Sequence, residues 1–160
     1  MTLLTPFRDR VRSRQGAVDL LLFRVGDEVF AAELRAVEEA LDEPGIHPLP
    51  EMRGALLGAV EHRGRMIALY TPARTLGRAA SSGVPVALVV RVGERRIGLA
   101  VQDVEDVMTL ELAELREPPV LGDVDGVLLG VAHRDRTLIA LVDVEALVAA
   151  CLFDREMETA

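Results

Sequence analysis

Three histidines, one cysteine and two carboxylate pairs are the residues with which this chain could do chemistry. His47, His62 and His133 are scattered, and none has the spacing of a metal-ligand pair. Glu38-Glu39 and Glu105-Asp106 could act as acid and base, but each lies in a charged run of the kind that forms a solvated face. Cys151 shares a helical face with Val144, Leu147 and Val148, which predicts a buried thiol rather than a nucleophile. As the only cysteine it allows no internal disulfide and no thiolate metal site. Gly54-Ala55-Leu56-Leu57-Gly58 lacks the Lys-Ser/Thr ending of a phosphate loop, and its regular apolar residues read as strand. The expectation is therefore a protein that is not an enzyme and takes no metal or cofactor. It would bind other proteins at strand edges and in the groove between its halves.

Composition narrows the classes further. The chain has 160 residues, half of them hydrophobic, enough for a real core in one domain. The formal charge is −8 and aromatics are 3%, which disfavours nucleic acid as a partner on both electrostatic and stacking grounds. All eighteen basic residues are Arg, and Lys and Asn are absent, a pattern that fits codon bias. No apolar run approaches the ~18 residues of a membrane span, and the first residues lack the apolar core of a secretion signal. A cytoplasmic protein with no direct membrane insertion is the expectation.

The elements that must position any site come from a duplication. Residues 54–69 recur as residues 126–141 at a constant offset of 72, with Gly54, Leu56, Leu57, Gly58, Ile67, Ala68 and Leu69 unchanged. Each copy is an apolar run, a charged turn and a second apolar run, the pattern of a β-hairpin. The turns differ: Glu61-His62-Arg63-Gly64-Arg65 against His133-Arg134-Asp135-Arg136-Thr137. Upstream, residues 17–32 and 84–101 form a second duplicated hairpin at an offset of 67, marked by Arg24-Val25-Gly26 and Arg91-Val92-Gly93. Five further residues enter the second half somewhere in 106–125.

Between the hairpins, residues 34–41 read as a short helix or the irregular start of a strand. Residues 46–49 read as a short edge strand bounded by Pro48 and Pro50. Thr71-Pro72 reads as the cap of a short helix closed by Gly77. Residues 78–83 form a loop between halves, and residues 143–152 a helix. The Arg-rich residues 1–16 are expected to be a flexible arm, or one that docks on an acidic surface, and residues 153–160 a tail. The fold expectation is mostly β: two small barrels sharing a hydrophobic core in one domain over 17–152. Its pseudo-repeated subdomains would span about 17–80 and 84–152.

The ordered set of residues resembles the CheW-like chemotaxis adaptor family and the related regulatory domain of CheA kinases. The resemblance covers residues 18–152. It rests on Phe23-Arg24-Val25-Gly26-Asp27-Glu28, Val37-Glu38-Glu39, the Pro-bounded 46–50, Gly58, Arg63-Gly64 and Ile67-Ala68-Leu69. The second half adds Ile97-Gly98-Leu99-Ala100-Val101 with Gln102-Asp103-Val104, and the run 141–147. It implies two intertwined five-stranded SH3-like barrels and a non-catalytic scaffold. That scaffold would link the cytoplasmic tip of a methyl-accepting chemoreceptor to the regulatory domain of a CheA-type histidine kinase. Carried over by position, Arg63, Glu39, Glu61 and His62 are expected at the receptor surface, with Arg63 and Glu39 paired. Leu56, Leu57, Met66 and Arg74 are expected at the kinase surface.

Three departures from the family pattern mark a divergent paralogue. Glu61-His62-Arg63-Gly64 stands where the family usually has Asn-Leu-Arg-Gly, which makes Glu61 a candidate determinant of receptor choice. Ala68 stands where the family usually has Pro. Thr71-Pro72-Ala73-Arg74 replaces Asp-Leu-Arg after that strand. The alternative reading is a relative that keeps one partner only and limits assembly or regulates a specific pathway.

Overall fold

Residues 17–25 read as an unbroken apolar run because both faces of the strand they form are covered. In β1 (Ala17–Val25), Leu21, Phe23 and Val25 face a central core, while Val18, Leu20 and Leu22 face the inside of a barrel. β6 (Val86–Val92) repeats this: Val86, Leu88 and Val90 face the central core, and Ala87 and Val89 face the other barrel's interior. A strand covered on both faces loses the polar alternation of a half-exposed one. The computed structural model describes residues 6–50, 52–78, 83–118 and 126–159, with side chains to residue 153.

The remaining elements are α1 (Phe7–Ser13), β2 (Glu28–Glu33), β3 (Val37–Asp42), β4 (Leu56–His62) and β5 (Arg65–Tyr70) in the first half. The second half has β7 (Arg95–Val101), β8 (Asp103–Glu111), β9 (Leu128–Arg134), β10 (Thr137–Val142) and α2 (Val144–Thr159). They build two five-stranded sheets, ordered β3-β6-β7-β5-β4 (the first barrel) and β8-β1-β2-β10-β9 (the second).

Each barrel therefore takes its β1–β2-type hairpin from the other half of the chain. β2 joins β10 in parallel, with Phe30 opposite Ala140, and β7 joins β5 in parallel, with Gly98 opposite Leu69. The sequence repeats 17–80 and 84–152 are thus not the two barrels, which are intertwined as the family resemblance implies. A hairpin looks the same in sequence whichever sheet receives it.

Each barrel closes at a seam between its edge strands. His47, after β3, exchanges two 2.8 Å backbone hydrogen bonds with Ala59 of β4. Arg116, after β8, does the same with Val131 of β9 at 2.8 and 2.9 Å. This approach explains two of the repeated glycines. A Cβ on Gly58 would lie 2.6 Å from the His47 carbonyl oxygen, and one on Gly130 would lie 2.7 Å from that of Arg116. Through the second half the offset grows from 67 at Glu105 to 69 at Arg116 and 72 at Gly126, so the extra residues enter in two places.

The central core unites both halves. Phe23 and Phe30 stack with centroids 6.1 Å apart, and α2 adds Leu147, Val148 and Cys151. Cys151 is buried, its Sγ 3.8 Å from the Thr71 carbonyl oxygen.

Several local expectations change. Residues 34–36 are a 3-10 turn leading into β3. The edge strand at 46–49 shrinks to the single His47 bridge, since Pro48 and Pro50 have no N–H to extend it. Thr71 does cap, accepting from the Ala73 N–H at 3.3 Å, but residues 73–77 are turns that end at Gly77 (φ +70°) rather than a helix. Of the 78–83 loop, residues 79–82 lie outside the described residues. The tail from 153 continues α2 to Thr159.

Residues 7–13, expected to be part of a flexible arm, form a helix held by the second barrel. Val11 is buried in that barrel's interior cluster, with Phe7 packed beside it. Arg8 Nε lies 3.0 Å from Asp143 Oδ2, Arg10 lies 2.6 Å from Glu33 Oε1, and Arg14 donates to the Leu115 carbonyl. The acidic docking surface is thus on the protein itself.

Candidate partner-binding surface

The β4–β5 turn is two residues long, since His62 pairs with Arg65. Arg63 and Gly64 both have positive φ, +51° and +78°, as a tight hairpin whose twist matches its strands requires. A Cβ on Gly64 would meet nothing within 4 Å, so its glycine answers to conformation alone. Arg63 is exposed and makes no hydrogen bond or ion pair among the described residues. In the second copy, Arg134 pairs with Thr137, and of Asp135 and Arg136 only Asp135 (φ +54°) is left-handed.

Glu39 does not pair with Arg63. Its Oε2 lies 2.8 Å from Nε2 of His62, whose side chain is 1% exposed. Alternation along β4 sends Val60 and His62 inward and leaves Glu61 exposed, while Arg63 sits beyond the strand in the turn. Neither nitrogen of the His62 ring has a well-aligned hydrogen bond among the described residues, so the short contact to Glu39 is its main polar relief.

Beside this contact, a β-bulge between Val37 and Glu39 sets Glu38 among cations. Arg96 Nε donates to Glu38 Oε2 at 2.8 Å, and Arg91 lies 3.6 Å from its Oε1. Burial alone would raise the Glu38 carboxyl. The Arg96 hydrogen bond and the charges of Arg96, Arg91 and His62 outweigh it and hold the group below the ordinary carboxylate range.

The other expected residues divide by exposure. Glu61 is exposed opposite Met66 and lines an open hollow of about 340 Å³ with Asp42, Pro44 and His47. Met66 is 53% exposed, Arg74 is exposed in the 73–77 turn, and Leu57 is half-buried against the first barrel's interior. Leu56 is 4% exposed in the central core, so it supports this surface and cannot touch a partner. His62 is likewise a supporting residue. Among the described residues, no group of three or more His, Cys, Asp or Glu is arranged to hold a metal ion.

A sequence model of the CheW-like domain matches residues 19–151. The chain belongs to the CheW-like domain family. It is 27% identical over 135 residues to the chemotaxis protein CheW of Rhizobium meliloti (strain 1021), covering 82% of this chain and 87% of that protein. It is also 27% identical over 137 residues to a probable chemotaxis protein CheW of Rhizobium etli, with 83% and 88% covered. The crystal structure of the scaffolding protein TtCheW from Thermoanaerobacter tengcongensis shares the fold, with a TM-score of 0.73 at 19% identity over 82% of this chain and 92% of that one. In this CheW-like chain, α1 and the end of α2 lie outside the matched residues. No helix among the described residues is long and apolar enough to cross a membrane.

Proposed function

We propose that this CheW-like protein is a non-catalytic, cytoplasmic adaptor. It would couple the cytoplasmic tips of methyl-accepting chemoreceptors to the regulatory domain of a CheA-type histidine kinase in a chemosensory array. The observation that carries this reading is the family match across 19–151, which spans most of both barrels. Its relatives are a chemotaxis protein and a scaffolding protein by name, in agreement with it. Arg63, Glu61 and Glu39 would meet the receptor, with the buried His62 beneath them. Met66, Leu57 and Arg74 would meet the kinase. Apolar contacts would supply affinity, and the charged residues would set register and partner choice.

The test is calorimetric titration of the intact protein with a receptor cytoplasmic fragment and, separately, with a kinase regulatory domain. Both are expected to bind. Arg63→Ala should weaken receptor binding about tenfold or more, as loss of an interface arginine does, and leave kinase binding in place. Binding to neither partner overturns the adaptor reading. Binding to the receptor alone replaces it with the assembly-limiter reading.

A further inference from the structure

The two barrels close their seams with the same kind of side-chain pair. Glu39 and Asp106 are equivalent at the offset of 67, and His62 and Arg134 at the offset of 72. In the second barrel Arg134 Nη2 donates to Asp106 Oδ2 at 2.5 Å, from β9 to β8. In the first, His62 meets Glu39 from β4 to β3. β3 and β4 are the two edges of the first sheet, so this contact bridges the barrel's opening directly behind Arg63. A leucine facing inward beside Val60 would avoid the cost of burying a polar ring. A ring nitrogen facing the Glu39 carboxylate supplies a reason for histidine there.

We propose that His62 is the positioning residue of the Arg63 surface: its ring, held 2.8 Å from Glu39, clasps the β4–β5 turn onto β3 and sets how the Arg63 guanidinium is presented. The functional weight of the clasp rests on the reading of that turn as the receptor surface; the clasp itself can be measured without a partner.

The two clasps differ in burial, with the His62 side chain 1% exposed and that of Arg134 37%, and in side-chain type. Arginine stays charged at any working pH, whereas histidine is the side-chain type that changes charge between pH 5 and 8. The charged groups around His62 are Glu39 and Glu38 on β3, Arg91 on β6 and Arg96 on β7 through Glu38, and Arg65 opposite it on β5. Carboxylates ordinarily titrate near pH 4 and guanidinium groups above 12. Within this cluster only the imidazole is of a side-chain type whose charge can change between pH 5 and 8, which makes pH a probe of the first clasp.

The experiment follows the backbone amides of Arg63 and Gly64 by NMR in the intact protein from pH 5 to 8, alongside the ring signals of His47 and His62. Both amides are expected to shift in one transition that tracks His62. His62→Arg should abolish that transition and hold the amides near their low-pH positions. Glu39→Gln, at an exposed site, should remove most of the amide shift. The proposal is overturned if the amides stay fixed while His62 titrates, or if Glu39→Gln leaves their shift intact. A transition persisting in His62→Arg, which keeps His47, overturns it too. Receptor titrations at both pH values then separate the two readings. Amide behaviour as expected with receptor affinity indifferent to Arg63→Ala would sink the surface assignment and leave the clasp standing.

Discussion

His62 Nε2 sits 2.8 Å from Glu39 Oε2, and the equivalent places in the second barrel are held by Arg134 and Asp106 at 2.5 Å. A second pair of contacts is related in the same way. Arg24 lies 3.7 Å from Glu105, and Arg91 lies 3.6 Å from Glu38, each joining a β1-type strand to a β3-type strand. The duplication has thus reproduced side-chain pairs as well as strands. The one change of residue class among these four contacts is His62, and it lies beside Arg63.

The glycines at the two seams give a graded prediction. Gly58→Ala places a Cβ 2.6 Å from the His47 carbonyl oxygen at a φ of +145°, combining a clash with backbone strain. It should cost about 3 kcal/mol, the upper end for overpacking. Gly130→Ala meets Leu115 Cγ at 2.6 Å and the Arg116 oxygen at 2.7 Å, and should cost a similar amount. Gly64→Ala has open space and only its φ of +78° against it, so about 1 kcal/mol is expected. Urea denaturation midpoints of the three variants check the order.

The same pairs mark what could and could not be read from sequence. The repeat exposed the hairpins and the shared hydrophobic core. Which barrel each hairpin enters was not legible, because local patterning is blind to strand partners far along the chain. Matching positions brought Glu39 to the right turn but to the wrong residue, because inward and outward alternation along β4 decides between His62 and Arg63. Superposing the halves at their two offsets would have paired Glu39 with His62 by analogy with Asp106 and Arg134. α1 was missed because a single buried Val11 makes no periodic pattern, and Arg8 finds Asp143 across 135 positions.

Asp143 joins two elements that no local reading connects. It caps α2, accepting from the Glu145 N–H at 3.2 Å and the Ala146 N–H at 3.5 Å, and it receives Arg8 Nε at 3.0 Å. Asp143→Ala should lose about 1–2 kcal/mol through the cap alone and release α1 from its ion pair. Asp143→Asn keeps a good cap and loses only the charge, so it should be the milder variant. Thermal melts should rank wild type, then Asn, then Ala. Hydrogen exchange in residues 7–13 should rise in both variants.

Acid should undo the carboxylate contacts in a defined direction. The Arg134 hydrogen bond, the Val107 N–H and the Arg134 charge hold the Asp106 carboxyl below its ordinary range, and Glu38 is lowered by its own cluster. A depressed folded-state carboxyl binds fewer protons than the unfolded chain does. Its contribution is therefore fully present above the unfolded value and is lost as pH falls through the folded one. The melting temperature should fall from about pH 4 downward as these contacts are protonated. Arg134→Ala should melt below wild type at pH 6, and the two curves should converge near the acid limit. Parallel curves down to the lowest pH would show that Asp106 gains nothing from Arg134.

The exchange of hairpins predicts how the chain behaves when cut. A fragment of residues 1–78 holds β1 to β5, but β3 lacks β6 and β5 lacks its parallel partner β7. The same fragment leaves β1 without β8 and β2 without β10. Residues 84–160 have the complementary gaps. Each fragment would expose the apolar faces of two half-sheets and bury too little to offset its chain entropy, so neither should fold alone. Mixed in equal amounts they supply each other's missing strands, and the two should recover a cooperative melt and dispersed NMR spectrum together. A folded 1–78 fragment with native β3–β5 shifts would contradict the topology, because a contiguous barrel would need nothing from the second half.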